Sequence, residues 1–161
     1  MKVIFPGSFD PVTFGHLNVI ERSAHLFDEV IIAVLINSDK QNLFSAEERI
    51  EMLRELLYDY DNVKVRSFEG LLVDFVNREG ADAVVRGLRT SPDFNYERQI
   101  ALLNRSLSSG METIFLITDE KYFFVSSSFA REVASYGGDV SGLVPGNVEQ
   151  RLRLKFQQPT P

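Results

Sequence analysis

EVIIAVLIN, residues Glu29 to Asn37, is an almost unbroken run of aliphatic side chains, most of them β-branched. A strand with one wet face would alternate, and an amphipathic helix would show polar residues every third or fourth position. This run does neither. It predicts a short strand covered on both faces, which is the habit of parallel sheets. Parallel neighbours need long crossovers, usually helices, and the flanking sequence supplies them. Upstream, Leu17, Ile20, Ala24 and Phe27 recur at helical spacing, and Lys2 to Phe5 read as a first strand. Downstream, Ser45 and Glu48 form an S-x-x-E capping box that opens SAEERIEMLRELLYD. NVKVRSF (Asn62 to Phe68) alternates as a third strand. Leu71 to Arg78 is a short helix closed by Gly80, and ADAVVRG (Ala81 to Gly87) is another buried strand. A long helix is predicted after Pro92, running to Gly110. METIFLIT (Met111 to Thr118) is the fifth strand, and Ser126 to Tyr136 and Val148 to Phe156 are the last helices. Five alternations predict an α/β fold, a doubly wound, largely parallel five-stranded sheet with helices on both faces. No linker or short-period repeat divides the chain, so residues 1–161 read as one domain with a frayed tail at about 157–161.

The composition narrows the function. With no cysteine, the chain excludes disulfides, thiolate metal sites and cysteine nucleophiles, and it suits a reducing cytoplasm. Met1 runs straight into an apolar strand without a signal-peptide pattern. No apolar run approaches the roughly 18 residues that span a bilayer, so no membrane is expected. A net charge of −6 disfavours nucleic acid, whose binding depends on phosphate neutralisation. An anionic small molecule is still allowed, provided its site is locally basic, with Lys and Arg clustered near glycine.

Ligands of such sheets bind at the carboxyl ends of the strands. After the first strand come Gly7, Ser8 and Phe9, and then Thr13-Phe14-Gly15-His16 at a helix mouth. A glycine turn leading into a helix N-terminus suits a phosphate, and a protonated or N–H-donating His16 can touch its oxygens. The plainer reading is a tight turn with a locally bonded histidine. Lys40 stands in the loop after the second strand, at the edge from which it can reach a phosphate, although a lone loop lysine is usually just solvated. Arg86 and Arg89 flank Gly87 after the fourth strand. They suit bidentate phosphate contacts, or else a surface ion pair with Asp93 or Glu97. After the fifth strand, Ser126, Ser127 and Ser128 open a helix, where capping alone needs only one of them. Four of five strand ends thus carry phosphate-suited groups, and together they predict a polyphosphate site. No G-x-G-x-x-G or G-x-x-x-x-G-K-[ST] is present, which removes the main support for a dinucleotide or P-loop reading.

TFGH resembles the T/H-x-G-H signature of the nucleotidyltransferase superfamily, and SSSFAR its S-[ST]-[ST]-x-x-R signature. PGSFDPVTFGH, the DK…LFSAEER segment, RGLR, DFNYE and GGDV…LVP together resemble the bacterial phosphopantetheine adenylyltransferase family, from Pro6 to Pro145. The resemblance implies a Rossmann-like subunit, a homohexamer, and transfer of AMP from ATP to 4′-phosphopantetheine with Mg²⁺. The products are dephospho-coenzyme A and pyrophosphate, the penultimate step of coenzyme A synthesis, with coenzyme A as a feedback ligand. It places Ser8, Phe9 and His16 on ATP, with Ser8 also bordering the acceptor phosphate. Gly87, Leu88, Arg89 and Glu97 fall on the ATP side. So do Tyr122, Phe123, Phe124, Val125 and the three serines. Lys40, Arg86 and Leu72 fall on the acceptor. Serine stands at 8 where relatives often have threonine, tyrosine at 122 where some have tryptophan, and Asn42 where proline is common.

A dianionic phosphate acceptor needs no general base, but the two anionic reactants must be held together. On this reading Lys40 and Arg86 hold the acceptor, and His16 stabilises charge on the α-phosphate. Arg89 and the serines hold the leaving phosphates. No carboxylate cluster is evident, so Mg²⁺ is expected to travel on the triphosphate. The competing readings are a nucleotidyltransferase for nicotinamide mononucleotide or a cytidylyl donor, a non-enzymatic nucleotide sensor, and a purely structural α/β domain.

Overall fold

The computed structural model describes residues 1–37, 41–108 and 110–157. Its centre is one five-stranded sheet of β1 (Lys2–Gly7), β2 (Glu29–Leu35), β3 (Val63–Phe68), β4 (Ala83–Leu88) and β5 (Glu112–Ile117). The order is β3-β2-β1-β4-β5, and every pairing is parallel. The sequence expectation of a largely parallel sheet is thus exceeded. Around the sheet lie α1 (Phe14–Leu26), α2 (Ala46–Leu56), α3 (Leu72–Glu79), α4 (Ser91–Leu107), α5 (Ser127–Ser135) and α6 (Gly146–Gln157).

The strand pattern sorts the core into two layers. Val3, Phe5, Val30, Ile32 and Val85 meet α1, α2, α5 and α6 through residues such as Ile20, Leu53, Ala130 and Leu152. Ile4, Ile31, Ala33 and Val84 point the other way, onto Val73, Phe75 and Val76 of α3. Helix α4 differs from the others in burying none of its residues. It starts at Ser91, one residue before the proline expected to precede it. Thr90 caps it, and Pro92 fits in the first turn because its missing N–H would have had no intrahelical partner there.

The sheet order reverses at β1, and this opens the crevice. Strand β1 stays paired with β2 as far as Gly7, whereas its pairing with β4 ends at Ile4. Pro6, which has no N–H to give, therefore sits beyond the end of that ladder. From there β1 and β4 part, making the switch point where α/β sheets bind ligands.

Candidate active site

A crevice of about 300 Å³ lies at this switch point. Gly7 and Ser8 from the end of β1 line one wall, and Thr13, Gly15 and His16 from the mouth of α1 another. Arg86, Gly87 and Arg89 come from the end of β4, and Val125, Ser126 and Ser127 from the mouth of α5. Gly87 must lack a side chain because a Cβ there would stand 2.8 Å from Val19 Cγ2 on α1.

His16 occupies the third position of α1. Its Nδ1 accepts the Thr13 N–H at 3.1 Å, and the Thr13 hydroxyl accepts the His16 N–H at 3.4 Å, a reciprocal capping box. Burial, reinforced by the Arg89 and Arg86 charges, lowers its pKa from 6.5 to about 4. The ring is therefore neutral at physiological pH. Because Nδ1 is an acceptor, the proton sits on Nε2, which has no partner among the described residues. The local-turn reading and the donor reading thus hold at once, on different nitrogens.

Both arginines are also doubly committed. Arg86 binds Glu97 through Nε at 2.6 Å and Nη2 at 2.5 Å, and donates to the Pro6 carbonyl at 3.0 Å. Arg89 binds Asp93 through Nε at 3.2 Å and the Val125 carbonyl at 3.0 Å. The ion pairs considered from sequence exist. A guanidinium carries five N–H donors, so Arg86 keeps two and Arg89 three for a ligand. The described crevice is consequently not the strongly cationic hole expected from sequence. Its charges are paired and its histidine is neutral. What it offers an anion is oriented N–H groups and two helix N-termini.

The serines divide similarly. Ser126 caps α5 by accepting the Phe129 N–H at 3.1 Å, and the Ser127 hydroxyl donates to the Pro11 carbonyl at 2.7 Å. Their hydroxyls hold structure, leaving the helix-mouth amides to face a ligand. Ser128 is exposed and does not line the crevice. Nor do Tyr122, Phe123 or Phe124: Tyr122 stacks on Phe14 at 6.3 Å, and Phe124 is exposed. Phe9 is buried at 1% exposure, so only its backbone can meet a ligand. Leu88 ends β4 half-buried, outside the lining. Leu72 lies behind the Arg86–Glu97 pair, in a small adjoining hollow with Ile100 and Asn104. Lys40 lies outside the described residues.

Three supporting residues carried no assigned role in the sequence reading. Asp10 is buried and accepts the N–H groups of Leu43 and Phe44, both at 2.9 Å. Arg131, the arginine of SSSFAR, donates to the Asp10 carbonyl and tethers α5 to the turn after β1. Arg49, 2% exposed, donates to the carbonyls of Ser8 at 2.7 Å, Leu35 at 3.1 Å and Ser45 at 3.2 Å. A signal for Arg49 was present: it precedes Met52 and Leu53 by three and four positions, at core spacing on α2.

Comparisons with known proteins agree. The family model described as cytidylyltransferase-like matches residues 4–133. A phosphopantetheine adenylyltransferase from Thermobifida fusca is 54% identical over 157 residues, covering 98% of this chain and 95% of the relative. One from Desulfosudis oleivorans is 50% identical, covering 97% and 94%. A solved structure from Vibrio parahaemolyticus, provisionally named nicotinate-nucleotide adenylyltransferase, superposes with a TM-score of 0.70 at 20% identity, covering 98% and 96%. That likeness concerns the fold.

Proposed function

The chain belongs to the cytidylyltransferase-like family and, within it, to the phosphopantetheine adenylyltransferases, and from that premise we propose how its crevice transfers AMP from ATP to 4′-phosphopantetheine. The acceptor phosphate attacks the α-phosphorus in line. The bond to the β-phosphate oxygen breaks, and pyrophosphate leaves with that electron pair. No covalent enzyme intermediate is needed. Two anionic reactants must be brought together, so positioning and charge stabilisation carry the catalysis.

The observation that carries the reading is the state of His16. A neutral imidazole with Nδ1 occupied presents Nε2–H to the crevice, at the mouth of α1 and within the field of Arg89 and Arg86. It can donate to an α-phosphate oxygen as charge builds there, without needing to lose or gain a proton. Arg89 and the α5 mouth hold the leaving phosphates. Arg86, oriented by Glu97, gives its two remaining N–H groups to the acceptor, together with Lys40. Ser8 stands between the two ligands, and Leu72 borders the pantetheine arm. Tyr122, stacked on Phe14, is the aromatic residue offered to adenine.

Mg²⁺, when bound, neutralises the triphosphate. Among the described residues no group of three His, Asp or Glu side chains can hold a metal. Asp93 and Glu97 are ion-paired, so this part of the chain has no ligand set of its own for the ion. On this reading the triphosphate oxygens and water would hold Mg²⁺.

The same reading makes the enzyme a cytoplasmic member of coenzyme A synthesis, with coenzyme A competing at the acceptor site because it shares the pantetheine arm. The absence of cysteine supports a reducing compartment, and no described helix is long and apolar enough to cross a membrane. A homohexamer accounts for α4. Leu102, Leu103 and Leu107 are each more than half exposed, as is Ile117 at the end of the edge strand β5, and a neighbouring subunit would cover such side chains. Light scattering of wild type and Leu103→Glu tests the assembly. Pyrophosphate release with ATP and 4′-phosphopantetheine, each omitted in turn and with nicotinate mononucleotide as alternative acceptor, tests the reaction. Release that does not require phosphopantetheine would overturn the assignment.

A further inference from the structure

Among the described residues Phe9 is the one non-glycine residue with a left-handed backbone, at φ 48°. A bulky side chain adopts that conformation only where its surroundings impose it. Its ring is buried against His16, with centroids 5.0 Å apart at 61°, and against Phe5 at 5.6 Å and 85°. On its other side lies Gly7. A Cβ at Gly7 would stand 3.0 Å from Phe9 Cε2 and 3.1 Å from Cζ. The ring thus touches both the imidazole and the space that a side chain at residue 7 would take.

We propose that Phe9 is a positioning residue for adenylyl transfer: its ring holds the His16 imidazole so that Nε2–H faces the crevice, and residue 7 is glycine to admit that ring. The inference rests on the transfer reaction proposed above. It assigns the side chain of Phe9 a role distinct from any contact its backbone makes with ATP. Thr13 restrains His16 at Nδ1 alone, and a ring held at one atom can still swing about its Cβ–Cγ bond. Packing against Phe9 removes that freedom. The left-handed backbone accompanies a ring turned into the core and against the imidazole, a strain of the kind found at catalytic sites. The same ring keeps water from that side of His16.

The test compares Phe9→Leu, Gly7→Ala and the double variant by kcat, ATP affinity and NMR titration of the His16 ring. The charged groups facing that ring, Arg86 with Glu97 and Arg89 with Asp93, are the same in all of them. Phe9→Leu should lower kcat by about ten- to a hundredfold, the size expected for misplacement near an ångström, with ATP affinity within about threefold. The His16 midpoint should rise from about 4 towards its ordinary value as water reaches the ring. Gly7→Ala should shift both in the same directions but by less, because its Cβ asks the ring to give way by only a few tenths of an ångström. In the Phe9→Leu background it should have less than about a twofold further effect, because the obstructing ring atoms are gone. If Phe9→Leu does not fold, Phe9→Met provides the same comparison. Unchanged kcat and titration in the Phe9 variant, or independent multiplying losses in the double variant, would overturn the proposal. Wild-type enzyme that releases no pyrophosphate would instead overturn the reaction, and the Gly7–Phe9 coupling in the NMR titration would still decide what the ring does.

Discussion

Replacing His16 with glutamine should remove a specific acid sensitivity from the fold. Glutamine is an ordinary partner at this position of a capping box, so the reciprocal bond with Thr13 is kept while the titrating group is lost. In the wild type the folded pKa is depressed from 6.5 to about 4. Above pH 6.5 His16 is neutral in both folded and unfolded chains and does not favour either. As pH falls through 6.5 the unfolded chain takes up a proton that the folded chain refuses, and stability drains away until about pH 4. The whole loss is about 3 kcal/mol. The sequence pI is near 5.0, so unfolding is best followed down to about pH 5.5, where the loss relative to pH 8 is about 1.4 kcal/mol. For a chain of this length that corresponds to about 3–6 °C in Tm. The assay is urea unfolding of both chains at the two pH values, at one protein concentration, with equal m-values required. Other titrating groups are common to both chains and cancel in the difference. The stability advantage of the wild type over His16→Gln should shrink by about 1.4 kcal/mol on acidification. A constant difference would show that the imidazole titrates alike in both states. A difference that moved the opposite way would mean a cationic His16, and the neutral-donor mechanism would be wrong.

The remaining predictions concern catalysis, binding and the scaffold. His16→Ala should lower kcat by about 10²–10³-fold, roughly 2.7–4 kcal/mol, while ATP affinity changes far less; single-turnover AMP transfer beside an equilibrium titration reads both. Arg89→Ala should weaken ATP more than phosphopantetheine, and Arg86→Ala the acceptor at least as strongly. Equal small losses for both ligands in calorimetry would return both arginines to structural ion pairs. Lys40→Ala should weaken the acceptor by about ten- to a hundredfold, the worth of a charged hydrogen bond, and an unchanged KM with unchanged kcat would make Lys40 a solvated loop residue. Arg49→Ala should lose about 3–5 kcal/mol by leaving a cavity and up to three carbonyls without their donor, a fall of about 10 °C in Tm; a change under about 3 °C would show that water replaces the guanidinium without loss.

Several features were legible because they are local. The helix mouths at Thr13 and Ser45 rest on contacts three residues apart, and both capping boxes are present; the first is harder to see in the sequence because histidine is an unusual member of such a box. Arg86 and Arg89 were read as a choice between ion pairing and ligand binding. Their donor count allows both, which only the geometry could establish. The serine run was read as a surplus of hydroxyls, but Ser127 is occupied by Pro11, 116 residues away. Arg49 sits at core spacing on α2, but only the tertiary structure supplies the Ser8 and Leu35 carbonyls that make its burial tolerable.

The sequence by itself determined the class of fold and where along the chain the ligand-facing turns would occur. Branched apolar runs must be covered on both faces, caps and glycines stop helices, and neither effect depends on distant residues. The tertiary structure decided the strand order β3-β2-β1-β4-β5, and with it which turns meet. It also decided the neutral state of His16 and the inward ring of Phe9. These depend on burial and on charges brought together from separate strands, as when Arg86 reaches the carbonyl of Pro6 across 80 residues of chain. A pKa is a property of what surrounds a residue, and the charges around His16 are in place only once β1 and β4 lie side by side.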